Sequence, residues 1–117
     1  MSDKLTKIEI ITKGSKLEDL KDGLNSIGIT GMTVTQVLGC GMQKGKTEFY
    51  RGNEYKIDLL PKIKVEVVVS VVPVKEVVRI AKEVLGSNEI GSGKIFIYEI
   101  QNAIRIRTGE EGTSALN

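Results

Sequence analysis

The chain of 117 residues predicts one α+β domain with four strands and two helices, in the order β-α-β-β-α-β. Three observations support this fold class. Four segments have the residue pattern of strands, two segments place apolar residues at helical spacing, and glycine or proline marks most of their ends. The length is enough for a single compact domain over residues 1–117 and too short for two.

The first strand and the first helix are predicted near the N-terminus. The segment 7–12 alternates isoleucine with polar residues at first, as a half-buried strand does. Ser15 and Glu18 form a capping-box pattern at a helix start, and Gly28 is the expected C-terminal stop. The apolar stripe of this helix consists of Leu17, Leu20, Leu24 and Ile27.

The second strand is predicted over 32–38, where threonine and branched residues return. The third, over 63–72, has isoleucine or valine at every alternate position, whereas its other face is polar at first and apolar later. The second helix follows Pro73, which suits a first helical turn, and ends at Gly86. The fourth strand is predicted over 94–100. This order is that of a ferredoxin-like sandwich, with both helices on one face of the sheet.

The face of the sheet away from the helices has apolar residues as well. Ile11, Val68 and Val72 alternate away from the residues that pack on the helices. A second apolar face needs a cover, and other copies of the same chain would supply it. We therefore expect an oligomer.

The composition favours a binding module over an enzyme. A net charge of +2 is too small to indicate a nucleic-acid or membrane partner by itself. Because the chain has no histidine, it has no Ser-His or Cys-His pair and no imidazole metal site. The single cysteine, Cys40, suits a reducing cytoplasm, and no apolar run approaches the roughly 18 residues of a membrane span.

The connection between strands two and three, residues 39–61, is far longer than the roughly two to five residues usual for a hairpin. It is polar, punctuated by glycine and without regular periodicity, so we predict a functional loop. Phe49, Tyr50 and Tyr55 are three of the five aromatic residues in the chain, and beside Arg51 they are typical of an interaction site. A solvated hairpin extension is the alternative.

Two further patterns indicate anion binding. The segment Gly-Ser-Gly-Lys at 91–94 offers backbone N–H groups and a cation. Arg105 and Arg107 place two guanidinium groups on one side of an extended segment, before a C-terminal tail that starts near residue 108. Together the two patterns would form a phosphate clamp. The alternatives are an ordinary turn and, for the arginines, ion pairs with Glu110 and Glu111.

Six motifs in order resemble the PII signal-transduction family, and the resemblance extends from about residue 7 to residue 110. They are 28–35 (GITGMTVT), 43–45 (QKG), 50–55 (YRGNEY), 60–62 (LPK), 91–96 (GSGKIF) and 105–110 (RIRTGE). Several long motifs in the right order are more specific than any one of them. The resemblance implies a homotrimer of ferredoxin-like subunits, with nucleotide sites in the clefts between neighbours.

The resemblance also implies the ligands. In this family ATP and ADP compete for the nucleotide site, and Mg-ATP helps to bind 2-oxoglutarate, whose level reports nitrogen and carbon status. Mg²⁺ would be held by Gln43 together with the ATP phosphates. The positions that match the nucleotide site are Gly31, Thr33, Gly39, Gly41, Met42, Gly91, Gly93, Lys94, Arg105 and Arg107. Those that match the 2-oxoglutarate site are Gln43, Lys44, Gly45 and Lys62.

The partners that the resemblance implies are proteins, with no nucleic acid among them. The long loop docks on targets, most often a membrane ammonium channel, and Tyr50 and Arg51 would make that contact, with Arg51 in the pore. Tyr55 matches the tyrosine that a nucleotidyltransferase modifies in some bacteria; an unmodified surface tyrosine is the alternative. Enzymes of nitrogen metabolism are further targets. We therefore expect a cytoplasmic regulator, peripheral at the membrane when bound to a transporter.

One departure from the family affects the nucleotide site. Met42 stands where an arginine usually contacts the phosphates, and the loss of one charge-assisted hydrogen bond costs about 1.5–3 kcal/mol. We therefore predict a reduced preference for ATP over ADP. Met42 also keeps a second interpretation open, a PII-like sensor of ADP or AMP that regulates another pathway such as bicarbonate handling.

Two unrelated functions share this order of elements. An RNA-recognition module needs stacking aromatic residues on its central strands, and the first and third predicted strands have none. A small enzyme such as an acyl-phosphate hydrolase would leave the long loop unexplained. Both are weaker interpretations than a regulator.

Overall fold

The computed structural model describes residues 4–42, 57–86 and 92–116. Its strands are β1 (Leu5–Thr12), β2 (Thr33–Met42), β3 (Ile57–Val69) and β4 (Lys94–Ile100), and its helices are α1 (Leu17–Ser26) and α2 (Val74–Leu85). Short 3₁₀ helices cover Gly14–Lys16 and Gly112–Leu116. The strands form one antiparallel sheet in the order β2-β3-β1-β4. The predicted α+β fold is confirmed.

One face of the sheet packs against both helices because apolar residues alternate along β1 and β3. Ile8 is opposite Val67, and Ile10 is opposite Val65. These residues lie in a buried cluster with the apolar stripes of α1 and α2. Its members are Ile8, Ile10, Leu20, Leu24, Ile29, Ile63, Val65, Val67, Val69, Val77, Ile80 and Ala81.

The predicted end of α1 at Gly28 is confirmed. Gly28 has φ +97°, which an L-residue with a side chain rarely adopts. Its N–H donates to the Asn25 carbonyl at 3.0 Å, and the Ile29 N–H donates to the Leu24 carbonyl at 3.0 Å. These two bonds form a Schellman motif, which satisfies carbonyls at the end of the helix.

The predicted helix starts differ from the structure. The N-cap of α1 is Lys16, with no capping side-chain hydrogen bond, so the capping box of Ser15 and Glu18 is wrong. The cause is the 3₁₀ turn Gly14–Lys16, which takes Ser15 into the helical path before α1 begins. Pro73 was predicted in the first turn of α2, but it is the N-cap. Its ψ of 141° is that of extended backbone and not of a helix.

The predicted loop over 39–61 is wrong at both ends, because β2 and β3 continue as a two-stranded ribbon. Gly39 pairs with Leu60, and Met42 pairs with Ile57. Pro61 is tolerated inside β3 because β1 pairs with β3 only as far as Ile63, which leaves one side of the strand free at the proline. Residues 43–56 lie outside the described part.

The third strand ends earlier than predicted, at Val69. Because residues 70–72 bend, the alternation of faces stops there. Val71, which was expected on the helix face, is 80% exposed. Val72, which was expected on the opposite face, packs against the core.

Candidate functional site

Ser92 and Gly93 form a turn that lies against the end of β1 and leads into β4. The Thr12 side chain is buried, and its hydroxyl donates a hydrogen bond of 2.7 Å to the Ser92 carbonyl. Gly93 has φ +133°, and a Cβ atom there would lie 2.5 Å from the Ile11 carbonyl oxygen. Glycine is therefore required at this position by both its conformation and its contact with β1.

Two of the predicted phosphate ligands are exposed cations. Lys94 is the first residue of β4, and Arg107 lies in a turn after that strand. Within residues 4–42, 57–86 and 92–116, neither side chain forms an ion pair or a hydrogen bond. Cations without a protein counter-ion are suited to bind an anionic ligand.

Arg105 has a different environment, and the prediction of an extended segment around it is wrong. Residues 106–108 form a turn, which the Gly109 N–H closes by donating to the Arg105 carbonyl at 2.8 Å. The turn brings Glu110 back to Arg105, and Nη1 of Arg105 forms an ion pair with that carboxylate. Nη2 of Arg105 donates to the Ser114 carbonyl at 3.2 Å.

The alternative of ion pairs with the acidic residues of the tail is confirmed for Arg105 and Glu110. It is wrong for Glu111, whose carboxylate accepts a 2.7 Å hydrogen bond from the Asn102 side chain. That bond joins the two ends of the turn, where Ile104 and Glu111 also form a β-bridge. The two arginines therefore differ: Arg105 is held within the turn, and Arg107 projects from it.

Gly39 and Lys62, which were predicted for two different ligands, are in contact. They lie on the paired strands β2 and β3, where Val37 is opposite Lys62. A Cβ atom at Gly39 would lie 3.4 Å from Cγ and 3.5 Å from Cε of Lys62. The aliphatic part of Lys62 thus crosses the Gly39 backbone, so the predicted nucleotide site and the predicted 2-oxoglutarate site adjoin here.

A pocket of about 580 Å³ lies beside this contact. Lys62 is the positively charged residue among those that line the pocket. The volume of the pocket suits a small ligand. The lining residues are Gly14, Gln36, Val37, Leu38, Pro61, Lys62 and Ile63.

Two more residues that are predicted to bind the nucleotide lie where β2 begins. Thr33 is the first residue of β2 and is opposite Glu66. Gly31 precedes it, and a Cβ atom there would have no heavy atom within 4 Å. Both residues are exposed, so this end of β2 is open to a ligand.

The strand register separates the predicted nucleotide residues into two groups. Lys94 is opposite Ile11, Ile11 is opposite Lys64, and Lys64 is opposite Thr35. This row crosses the whole sheet, so Lys94 on β4 is three strand spacings, about 14 Å, from β2. Gly31, Thr33 and Gly39 therefore lie at one edge of the sheet, and Lys94 lies at the other.

A charged cluster occupies the open face of the sheet between these edges. Lys7 Nζ lies 3.2 Å from a Glu66 carboxylate oxygen and 4.7 Å from the centre of the Tyr98 ring. The Tyr98 hydroxyl donates to Glu9 at 3.3 Å, and Glu9 is 9% exposed. These four residues are the open-face cluster. Sequence analysis missed it because their proximity depends on the register of three strands.

Several predicted site residues are described only by their backbone or lie outside the described part of the chain. Gly41 and Met42 belong to β2 by their backbone, but their side-chain environment is not described. The predicted positions outside the described part are Gln43, Lys44, Gly45, Tyr50, Arg51, Tyr55 and Gly91.

Comparison with known proteins decides the family. The family model described as nitrogen regulatory protein P-II matches residues 5–110. The chain belongs to the P-II family. A nitrogen regulatory protein P-II of Pasteurella multocida is 50% identical over 112 residues, which are 96% of this chain and 100% of the relative. A nitrogen regulatory PII-like protein of Bacillus subtilis is 49% identical over 116 residues, which are 99% and 100%.

Solved P-II structures agree with the fold. A B. subtilis GlnK–ATP complex superposes with a TM-score of 0.84 at 46% identity and covers 99% of both chains. A second B. subtilis GlnK structure has a TM-score of 0.84 at 49% identity, and covers 97% of this chain and 99% of its own. The suspected resemblance is confirmed, and the chain is a P-II nitrogen regulatory signalling protein.

The described residues have neither a membrane-spanning helix nor a cluster of metal ligands. No helix within them is long and apolar enough to cross a membrane. The same residues contain no group of three or more Cys, Asp or Glu side chains that could hold a metal ion.

Proposed function

We propose that this P-II protein senses ATP, ADP and 2-oxoglutarate in clefts between neighbouring subunits of a homotrimer and passes that state to target proteins through residues 43–56. It is a regulator in this proposal and carries out no catalysis of its own. Its place is the cytoplasm, or the membrane surface when a transporter is the target.

The observation that carries the proposal is the separation of the nucleotide residues. Gly31, Thr33 and Gly39 lie at the β2 edge, and Lys94 lies about 14 Å away at the β4 edge. To contact both groups on one subunit, a nucleotide would have to stretch across the whole sheet. If the β4 edge of one subunit faces the β2 edge of the next, both groups line the same cleft.

Each group of residues has a role in this cleft. The backbone at Gly41 and the Met42 side chain would complete the β2 side. The Gly91–Gly93 turn and three cations would hold the phosphates. Lys94 and Arg107 suit that role because neither has a protein counter-ion within the described residues, whereas Arg105 is already paired with Glu110. The cations are Lys94, Arg105 and Arg107.

2-Oxoglutarate would bind next to the nucleotide, where Lys62 crosses Gly39. Lys62 would pair with a carboxylate, while Gln43, Lys44 and Gly45 would supply the remaining contacts. ATP and 2-oxoglutarate are both strongly anionic, so adjacent binding needs positive charge between them. Mg²⁺ held by Gln43 and the ATP phosphates would provide it.

The targets are proteins whose activity depends on nitrogen supply. We propose a membrane ammonium channel as the main target, with Arg51 in its pore and Tyr50 beside it. Enzymes of nitrogen metabolism are further targets, and Tyr55 is the residue on which a nucleotidyltransferase would act. A ligand that changes the conformations open to residues 43–56 would decide which target binds.

Calorimetry and sedimentation test the cleft. We expect a particle of three 12.8 kDa chains that binds ADP and ATP, and Lys94→Gln should weaken both by about tenfold or more. Lys82→Gln is the matched control, because this exposed lysine of α2 makes the same change in charge away from the sheet. A monomer that binds nucleotide at full affinity would contradict the proposal.

A second titration tests 2-oxoglutarate. It should bind with Mg-ATP present, and Lys62→Gln should abolish that binding more completely than Lys64→Gln, which changes the next half-buried lysine on the same face of β3. If 2-oxoglutarate binds under no nucleotide condition, the nitrogen-sensing role fails.

Met42 supports a second candidate, a PII-like sensor of ADP or AMP that regulates another pathway such as bicarbonate handling. Without the usual arginine, the site loses a charge-assisted contact to the phosphates. ATP loses more from this than ADP or AMP, because it carries more phosphate charge. We expect ATP to bind no more tightly than ADP when 2-oxoglutarate is absent. Much tighter binding of ATP in the same calorimeter would exclude this candidate, and Met42→Arg should raise the preference for ATP.

A further inference from the structure

Thr12 is a buried polar residue that the proposed function does not use. It is the last residue of β1 and is 2% exposed. Its position on the sheet is that of a core residue, since it is opposite Ile63 on the helix face. A buried hydroxyl needs a hydrogen-bond partner, and the partner here is the Ser92 carbonyl at 2.7 Å.

This hydrogen bond determines how the next peptide group is oriented. The Ser92 carbonyl and the Gly93 N–H belong to one planar trans peptide, so they point in opposite directions. Because the Thr12 hydroxyl holds the carbonyl toward β1, the Gly93 N–H points away from β1. A backbone N–H fixed in this direction is a preorganised donor for an anion.

The turn cannot easily adopt another position while this bond exists. The place of a Gly93 Cβ atom is 2.5 Å from the Ile11 carbonyl oxygen and 3.2 Å from both Cβ and Oγ1 of Thr12. The turn backbone is thus in direct contact with Thr12 on one side. Lys94 follows at once, so the direction in which its side chain leaves β4 depends on the same contact.

We infer that Thr12 is a positioning residue for phosphate recognition: its hydroxyl orients the Ser92–Gly93 peptide so that the Gly93 N–H and Lys94 face the phosphate groups of a nucleotide. Thr12 itself does not touch the nucleotide. The inference rests on the proposed nucleotide cleft and adds to it a residue of the helix-packed core.

The test compares Thr12→Val with Thr12→Ser. Valine keeps the shape of threonine and removes the donor, whereas serine keeps the donor. Calorimetry should show that Thr12→Val weakens ADP binding about five- to tenfold, the value of about one hydrogen bond. Thr12→Ser should restore most of that loss. Ser26→Ala is the control, because it removes a hydroxyl that donates to the Gly23 carbonyl at 2.6 Å within α1, outside the glycine turn.

Adenosine separates positioning from a general change of the cleft. It has no phosphate, so Thr12→Val should leave its affinity, measured by displacement of bound ADP, within about twofold of the wild type. Equal losses for ADP and adenosine would overturn the inference, and so would unchanged ADP binding by Thr12→Val. If Thr12→Val does not fold, Thr12→Ala with amide exchange at Gly93 is the substitute. Unchanged exchange there, together with wild-type ADP affinity, would overturn the inference as well.

The two proposals fail in different ways. Wild-type protein that binds neither ATP nor ADP would contradict the nucleotide cleft and this inference with it. Wild-type protein that binds both, beside a Thr12→Val variant of equal affinity, would contradict the inference alone.

Discussion

The two faces of the sheet are held by different forces. On the helix face, residues such as Ile8, Ile10 and Leu24 are fully buried in an apolar cluster. On the open face, the cluster of Lys7, Glu9, Glu66 and Tyr98 combines charge with partial burial, and Phe96 beside it is 42% exposed. Most of the first face is covered within one chain, although Val34 and Ile97 at its two edges are 41% and 54% exposed.

The difference indicates what each face contributes to the protein. Apolar burial contributes about 25 cal/mol for each Å² removed from water, whatever the partner is. A half-buried charged cluster contributes less to folding than an apolar core does, but it restricts which surface fits over it, because an unmatched charge is costly to cover. The helix face therefore stabilises the fold, and we expect the open face to select the neighbouring subunit of the proposed trimer.

The largest predicted effect is on the helix face. Leu24 is fully buried, so Leu24→Ala should reduce the free energy of unfolding by about 2–5 kcal/mol. Leu38 is 64% exposed, and Leu38→Ala should change it by less than about 0.5 kcal/mol. Urea unfolding at one fixed protein concentration measures both. Equal losses would mean that the stability does not reside in the helix face.

The next effect is at the turn of Ser92 and Gly93 that leads into β4. Gly93→Ala places a Cβ atom against the Ile11 carbonyl at φ +133° and should cost about 1–3 kcal/mol. Gly31→Ala is the control for stability, since that position has open space. Thermal unfolding compares the melting temperatures of the two variants. A Gly93→Ala protein with the wild-type melting temperature would show that the turn moves at little cost.

A smaller effect is expected on the open face. Lys7→Met removes the ion pair with Glu66 and the contact with the Tyr98 ring. Both charged side chains are only a quarter to a third exposed, so the loss should be about 1–2 kcal/mol. A double-mutant cycle with Glu66→Gln, run at low and at high salt, measures the coupling. Coupling that is absent at low salt would show that the Lys7–Glu66 pair does not stabilise the fold.

The smallest effect lies outside both faces, on α2. The hydrogen bond from Arg79 holds the pKa of Glu76 below its ordinary value. The stabilisation that this hydrogen bond gives the folded protein is therefore present above about pH 4.5. It is lost as the pH falls through the lowered pKa of Glu76. Glu76→Gln should make the melting temperature slightly less dependent on pH below this value. A steeper dependence in the variant would contradict the assignment.

The sequence alone determined the order of elements, most of the helix-packed residues and the family. Local signals are sufficient for these features: the alternation in β3, the apolar stripes of α1 and α2, the stop at Gly28 and the motifs of the P-II family. β4 was predicted with its observed bounds, whereas the inner ends of β2 and β3 were predicted wrongly because they depend on pairing. The ribbon of β2 and β3 beyond Gly39 is an example, because backbone hydrogen bonds hold it without any side-chain pattern.

Only the tertiary structure decided which site residues meet. The pairing of β2 with β3 brought the Lys62 side chain against Gly39, and the strand order put Lys94 at the opposite edge of the sheet. A turn joined Arg105 to Glu110 and left Arg107 exposed. Such contacts join residues that are far apart in the chain or turned together by backbone geometry, and no local pattern encodes them. The distance between two strands is a property of the sheet, and the sequence of either strand does not contain it.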